Sequence, residues 1–164
     1  MRRARQSGQA LVELALALPI LLILALGVIE LGRYSYISIL VGNAAHAGAV
    51  YGSQTTAASA DTAGIKNAAY YDFAGTVPGA VDVGTTHKNG FYVADLTVTS
   101  TVACGCDALG TISNFACDST PSCATGHWVA VVTVTATGTF NSLFNYPGIP
   151  TSLTINRTSS MRVL

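Results

Sequence analysis

A run from Ala10 to Ile29 constrains this chain more than any other feature. It is apolar except for Glu13, Pro19 and Gly27. About 20 residues of helix cross the hydrocarbon core of a bilayer, so a run of this length reads as a membrane span. The flanking charges set its direction. Arg2, Arg3 and Arg5 precede it, whereas only Arg33 follows closely. A basic excess belongs on the cytoplasmic side, which puts the N-terminus in the cytoplasm and the bulk of the chain outside. Tyr34 and Tyr36 stand where an interfacial aromatic belt belongs on the far side. The competing reading is a removable secretory signal, with Ala25-Leu26-Gly27 or Ala45-His46-Ala47 as the small-x-small cleavage pattern. The run is long for a signal core, usually about 7–15 residues, and a disposable segment has no use for Glu13.

A carboxylate in a membrane helix costs roughly 2.5–3.5 kcal/mol at the bilayer centre and less near an end. Glu13 can reach the headgroups, become protonated, or find a cationic partner. The surrounding residues favour the partner. Ser7-Gly8 followed by Gln9-Ala10-Leu11-Val12-Glu13 resembles a prepilin processing site. In that family a membrane peptidase cuts after the glycine, on the cytoplasmic side of the apolar run, and the glutamate becomes the fifth residue of the mature chain. The stretch from Gly8 to Pro19, running into Gly27-Val28-Ile29-Glu30-Leu31-Gly32-Arg33, resembles TadE-like proteins, pilin-like subunits of tight-adherence (Flp-type) pilus systems. The ending Thr158-Ser159-Ser160-Met161-Arg162-Val163 resembles their C-terminal strand.

The resemblance implies cleavage between Gly8 and Gln9, a retained helix, and a new ammonium group at Gln9 that a neighbouring subunit's Glu13 can pair with. Such a pair in low dielectric sets registry more than stability, because desolvation offsets much of the attraction. Pro19 removes one helical hydrogen bond and is expected to kink the helix. Glu30 and Arg33, three apart, can pair on one helix face.

Past Arg33, Ile37, Leu40, Val41, Ala44, Ala45 and Gly48 keep the three- and four-residue spacing of a helix face, crowded with small residues suited to close packing. Residues 53–60 read as a loop, and 61–73 as a second helix with Ile65, Ala68, Ala69 and Phe73 on one face, capped by Ser59 or Asp61. Residues 75–90 have turn composition.

Three strand signals follow. Tyr92, Ala94, Leu96, Val98 and Val102 alternate with Asp95, Thr97, Thr99 and Thr101. Trp128, Ala130, Val132, Val134, Ala136 and Phe140 alternate with Thr133, Thr135, Thr137 and Thr139. Leu153, Ile155, Met161 and Val163 share the last face, with Arg157 and Arg162 as edge charges. The expected fold is α+β and pilin-like: a long N-terminal helix, transmembrane in its first half, packed on a small antiparallel sheet. The expected organisation is a basic leader (1–8), a transmembrane helix (9–33), its extracytoplasmic continuation (34–52) and an α+β domain (53–164) with a cysteine-bearing loop at 103–127.

Cys104, Cys106, Cys117 and Cys123 read as two disulfides in an exported segment. Cys104 and Cys106 face the same way if their strand continues, so each takes a different later cysteine. Two connectivities satisfy that. Zinc held with His127 is the competing reading, but neither Cys-x-Cys nor the Cys117–Cys123 gap fits the usual knuckle.

The 164 residues carry only 10% charged side chains and no formal net charge, against about a quarter charged in a typical soluble domain. No basic patch exists beyond the leader, so nucleic acid is not an expected partner. No nucleophile elbow, phosphate loop or metalloprotease motif is present, and the acids outside the span read as solvated turn or cap residues. The expectation is a non-enzyme without cofactor or metal. It is a minor pilin-like structural or assembly subunit in the cytoplasmic membrane, partnered by lipid, a prepilin peptidase and other pilin-like subunits. The alternatives are a membrane-anchored extracytoplasmic binding module unrelated to pili and a small exported metalloprotein.

Overall fold

The computed structural model describes residues 6–74, 93–108, 111–115, 117, 123–144 and 150–163. The elements in chain order are α1 (Gln6–Ser53), α2 (Thr56–Ala60), α3 (Thr62–Ala74), β1 (Val93–Ala108), β2 (Thr111–Phe115), β3 (His127–Asn141) and β4 (Ser152–Arg162). The chain divides into two units, Met1–Tyr36 and Ile37–Leu164, and α1 contributes to both.

In the first unit every residue from Gly8 to Ala25 is exposed. Leu11, Leu16 and Ile23 each leave about two-thirds of their surface uncovered. The helix continues through Pro19. This is the one described helix long and apolar enough to cross a membrane, and none of its most apolar stretch is buried. A soluble protein rarely leaves so large a contiguous apolar surface open to water.

The second unit is α+β. The sheet order is β2-β1-β3-β4, antiparallel throughout. Ile37, Val41, Ala44, Ala45 and Ala49 of α1 are buried, with Ile65, Ala69, Tyr70 and Phe73 of α3. They share the core with Leu96 and Val98 of β1 and Val132, Val134 and Ala136 of β3. Close approach depends on glycine. A Cβ on Gly52 would lie 3.0 Å from both Ile65 Cδ1 and Val132 Cγ2, and one on Gly138 only 2.8 Å from Val41 Cγ2. The Tyr70 hydroxyl donates to the Leu96 carbonyl at 3.0 Å, tying α3 to β1. Burial raises the Tyr70 pKa.

The alternation expected for the strand ending at Asn141 holds, every even position from Ala130 to Phe140 being buried. In β1 Leu96 and Val98 are buried and alternate with exposed Thr97 and Thr99. A bulge between Ala94 and Thr97 reverses the parity, so Val93, not Ala94, registers opposite Phe140. Tyr92 and the turn-rich 75–90 stretch lie outside the described residues.

Two expected loops contain regular structure. Residues 53–60 hold the last residue of α1 and all of α2. Thr55 Oγ1 accepts from the Ala58 amide at 3.0 Å, and that cap, followed by an alanine-rich turn, is enough to nucleate a short helix. The 103–127 span holds the end of β1 and all of β2, registered from Cys104↔Phe115 to Ala108↔Thr111.

The sheet's outward face is a set of hydroxyl and amide rows. Thr133 and Ser160 hydrogen-bond at 2.9 Å, Thr135 and Thr158 at 3.1 Å, and Thr137 donates to Asn156 Oδ1 at 2.7 Å. In register beyond them stand Thr101, Thr99 and Thr97, all exposed.

Candidate functional site

The N-terminal site is built on the first turns of α1. Gln9 Nε2 donates to Glu13 Oε1 at 3.1 Å, an exposed i to i+4 contact. The two side chains share one helix face, as that spacing dictates. The amide engages one carboxylate oxygen, so Glu13 keeps acceptor capacity for a further donor. Gly8 is exposed, and a Cβ there would meet nothing within 4 Å. It lies in the opening turn, where amides lack intrahelical partners. Glycine also weakens a helix by roughly 1 kcal/mol relative to alanine. Both features lower the local helical stability of the backbone around Gly8 and Gln9.

Towards the other end of the apolar run, Arg33 Nη1 donates to Glu30 Oε2 at 2.6 Å. The Glu30 side chain is only 13% exposed, so this pair is more sheltered than the solvated pair its spacing alone implies.

The four cysteines form two disulfides, Cys104–Cys117 and Cys106–Cys123, with Cα separations of 5.1 and 5.7 Å. Cys104 and Cys106 are both buried, two apart on β1 and on one side of the sheet. With every sulfur oxidised, no thiolate remains to hold zinc. Among the described residues no group of three or more His, Cys, Asp or Glu could take a metal.

Among the acids, Asp61 is the cap expected of it, and Asp107 is not a solvated turn residue. Asp61 caps α3, its Oδ1 accepting from the Gly64 amide at 2.9 Å and its Oδ2 from the Tyr51 hydroxyl at 2.8 Å. The Gly64 amide first and the Tyr51 hydroxyl second hold its carboxyl below the usual range, and the same contact raises the Tyr51 pKa. Ser59, the other expected cap, is instead buried within α2. Asp107 departs from the expectation. It lies on β1 and is buried, and Arg162 of β4 donates to its Oδ2.

Arg157 lies exposed on β4, an edge strand, as expected of an edge charge, and it also contacts α1. It registers opposite Ala136, on the core side of the sheet, and its Nη2 donates to Ser38 Oγ on α1. Its stem lies against α1 at Gly42, where an added Cβ would sit 3.9 Å from Arg157 Cγ. The two-residue spacing from Ile155 to Arg157 places both on one face of the strand, and that was the available signal for Arg157. Nothing local marks Ser38 as its partner.

A family profile described as TadE-like protein matches residues 8–50, roughly a quarter of the chain. The resemblance carried by Gly8–Arg33 falls wholly inside that match. Comparison with curated proteins and with solved structures finds no match.

Proposed function

Starting from a segment, 8–50, that is TadE-like, we propose that the chain is a minor pilin-like structural or assembly subunit of a tight-adherence pilus or related secretion apparatus. The observation that carries the reading is Glu13 five residues after Gly8 on a helix whose residues 8–25 are all exposed in the structure as described. In this reading the helix enters the cytoplasmic membrane with its N-terminus inside. A prepilin peptidase cuts after Gly8, and the ammonium group freed at Gln9 pairs with Glu13 of an adjacent subunit. The pair is a registry device: a mismatched offset strands a charge in low dielectric, which costs more than the matched pair gains. The apolar faces of neighbouring helices then replace lipid. The role is structural, with no catalytic group.

Intact-mass analysis of the chain purified from membranes of a host with prepilin peptidase tests the processing step. The expected mature protein begins at Gln9. A full-length chain, or one beginning near Val28, would overturn it. A binding module merely anchored by this helix would keep its function when Gly8 and Glu13 are both replaced, whereas the pilin-like reading requires them.

A further inference from the structure

We infer that the outward face of the sheet is a docking surface for a neutral polysaccharide. The inference uses only the second unit and goes beyond the processing and membrane readings.

Its first support is composition in register. On the β3–β4 ladder every outward rung from Thr133–Ser160 to Asn141–Ser152 carries only hydroxyl or amide side chains. Thr101, Thr99 and Thr97 of β1 extend three of these rungs across the sheet. The β4 and β1 members are all exposed. Charge begins only at the next rung, Val131–Arg162, and there Asp107 takes it up. Outward rungs stand about 6.8 Å apart along a strand and strands about 4.8 Å apart, so the uncharged face is about 27 Å long. An extended chain of several sugar units fits along it.

The second support is hydrogen-bonding capacity held in place. In the Thr133–Ser160 and Thr135–Thr158 pairs one hydroxyl donates to the other, and the bond leaves the accepting hydroxyl its own hydrogen. Asn156 Oδ1 accepts from Thr137, and that bond uses neither amide hydrogen of Asn156. The rows therefore offer donors and acceptors together. Their β-branched side chains have few rotamers to lose on binding.

Charge and polarity then choose the occupant. An apolar partner would take the hydroxyls out of water with nothing to bond. A charged partner would shed hydration and meet no opposite charge. A neutral polysaccharide carries no charge to desolvate, and its hydroxyls donate and accept in the same way as those of the face.

The test uses the full chain in a zwitterionic detergent without a sugar headgroup, sedimented with cellulose powder, a neutral β-linked glucan. The wild type is expected to sediment with it. Thr135→Val, which keeps the branched shape and removes one hydroxyl, should bind about threefold more weakly. Thr99→Val, Thr135→Val and Thr158→Val together should bind at least tenfold more weakly. Thr56→Val, on α2 and off the sheet, should bind as the wild type does. Circular dichroism checks that each variant is folded, and if the triple variant is not, the single variant decides. No sedimentation of the wild type, or equal sedimentation of wild type and Thr135→Val, overturns the proposal. So does retention on carboxymethylated cellulose equal to that on cellulose, since a neutral face gives a polyanion no counter-charge. Analytical ultracentrifugation examines the other occupant. A wild-type dimer that Thr135→Val splits would place a second copy on the face and overturn the assignment.

Discussion

Arg162, at the end of the edge strand, reaches diagonally across β3 to the buried carboxylate of Asp107 on β1. The pair ties the outermost long strand to the strand that carries two cysteines. Breaking a fully buried pair costs about 3–5 kcal/mol, but the Arg162 side chain is 56% exposed and water screens its end of the bond. Arg162→Met should therefore lower stability by about 1–2 kcal/mol, because it removes the cation paired with a buried carboxylate. Thermal unfolding of the detergent-solubilised chain, followed by circular dichroism, would show the lowered midpoint. Arg162→Lys should recover part of it.

The two disulfides close loops with sequence separations of 13 and 17 residues. Loops of that size restrict the unfolded chain by about 3 kcal/mol each. Paired replacement of Cys104 and Cys117 by serine, or of Cys106 and Cys123, should lower the thermal midpoint by a similar amount. A reductant should then lower the wild type at least as far as either double variant. Mass mapping of peptides from the unreduced protein would read the connectivity directly.

Gly52 lets α1 lie against both Ile65 of α3 and Val132 of β3. Gly52→Val drives side-chain atoms into Ile65 and Val132, and overpacking of this kind costs about 1–3 kcal/mol. Gly32→Val, where a Cβ meets nothing within 4 Å, should not change the unfolding midpoint of the folded domain.

Asp61 links stability to acid pH. Its carboxyl titrates lower in the folded chain than its ordinary 3.8, so the unfolded state takes up a proton first. The stabilisation is fully present above pH 3.8 and disappears as pH falls through the lowered folded value. Asp61→Asn should flatten that part of the stability–pH curve measured by urea unfolding. It should leave the curve's shape near neutrality unchanged.

Glu13→Ala separates insertion from assembly. The helix becomes more apolar, so membrane integration should be undiminished. Co-purification with other pilin-like subunits should fall by at least an order of magnitude if the Gln9–Glu13 registry pair acts as proposed. Glu13→Asp should restore part of it.

Much of this architecture was readable because it rests on periodicity. The Thr/Val alternation from Thr133 to Phe140 and the small-residue stripe from Ile37 to Gly48 fix faces directly. The bulge before Thr97 was not readable, since one extra residue leaves composition untouched while reversing which side chains face inward. The helical turn at Thr56–Ala60 hid behind loop-like composition because its cap, Thr55, gains meaning only once Ala58 has turned. Asp107 was misjudged because a charged residue is assigned to solvent by default, and only tertiary contact, here with Arg162, shows otherwise. The Gly8–Glu13 spacing is a linear feature, and the family match over residues 8–50 includes it.

The threonine, serine and asparagine rows on the outer face of the sheet have a consequence for how this domain meets its surroundings. The three hydrogen-bonded pairs and the Thr97, Thr99 and Thr101 column contain no group that ionises. Contacts made through them answer neither to ionic strength nor to acidity in the range where proteins survive. Rinsing with high salt, which strips charge-driven associations, should leave such contacts untouched, while denaturants that compete for hydroxyl hydrogen bonds should release them.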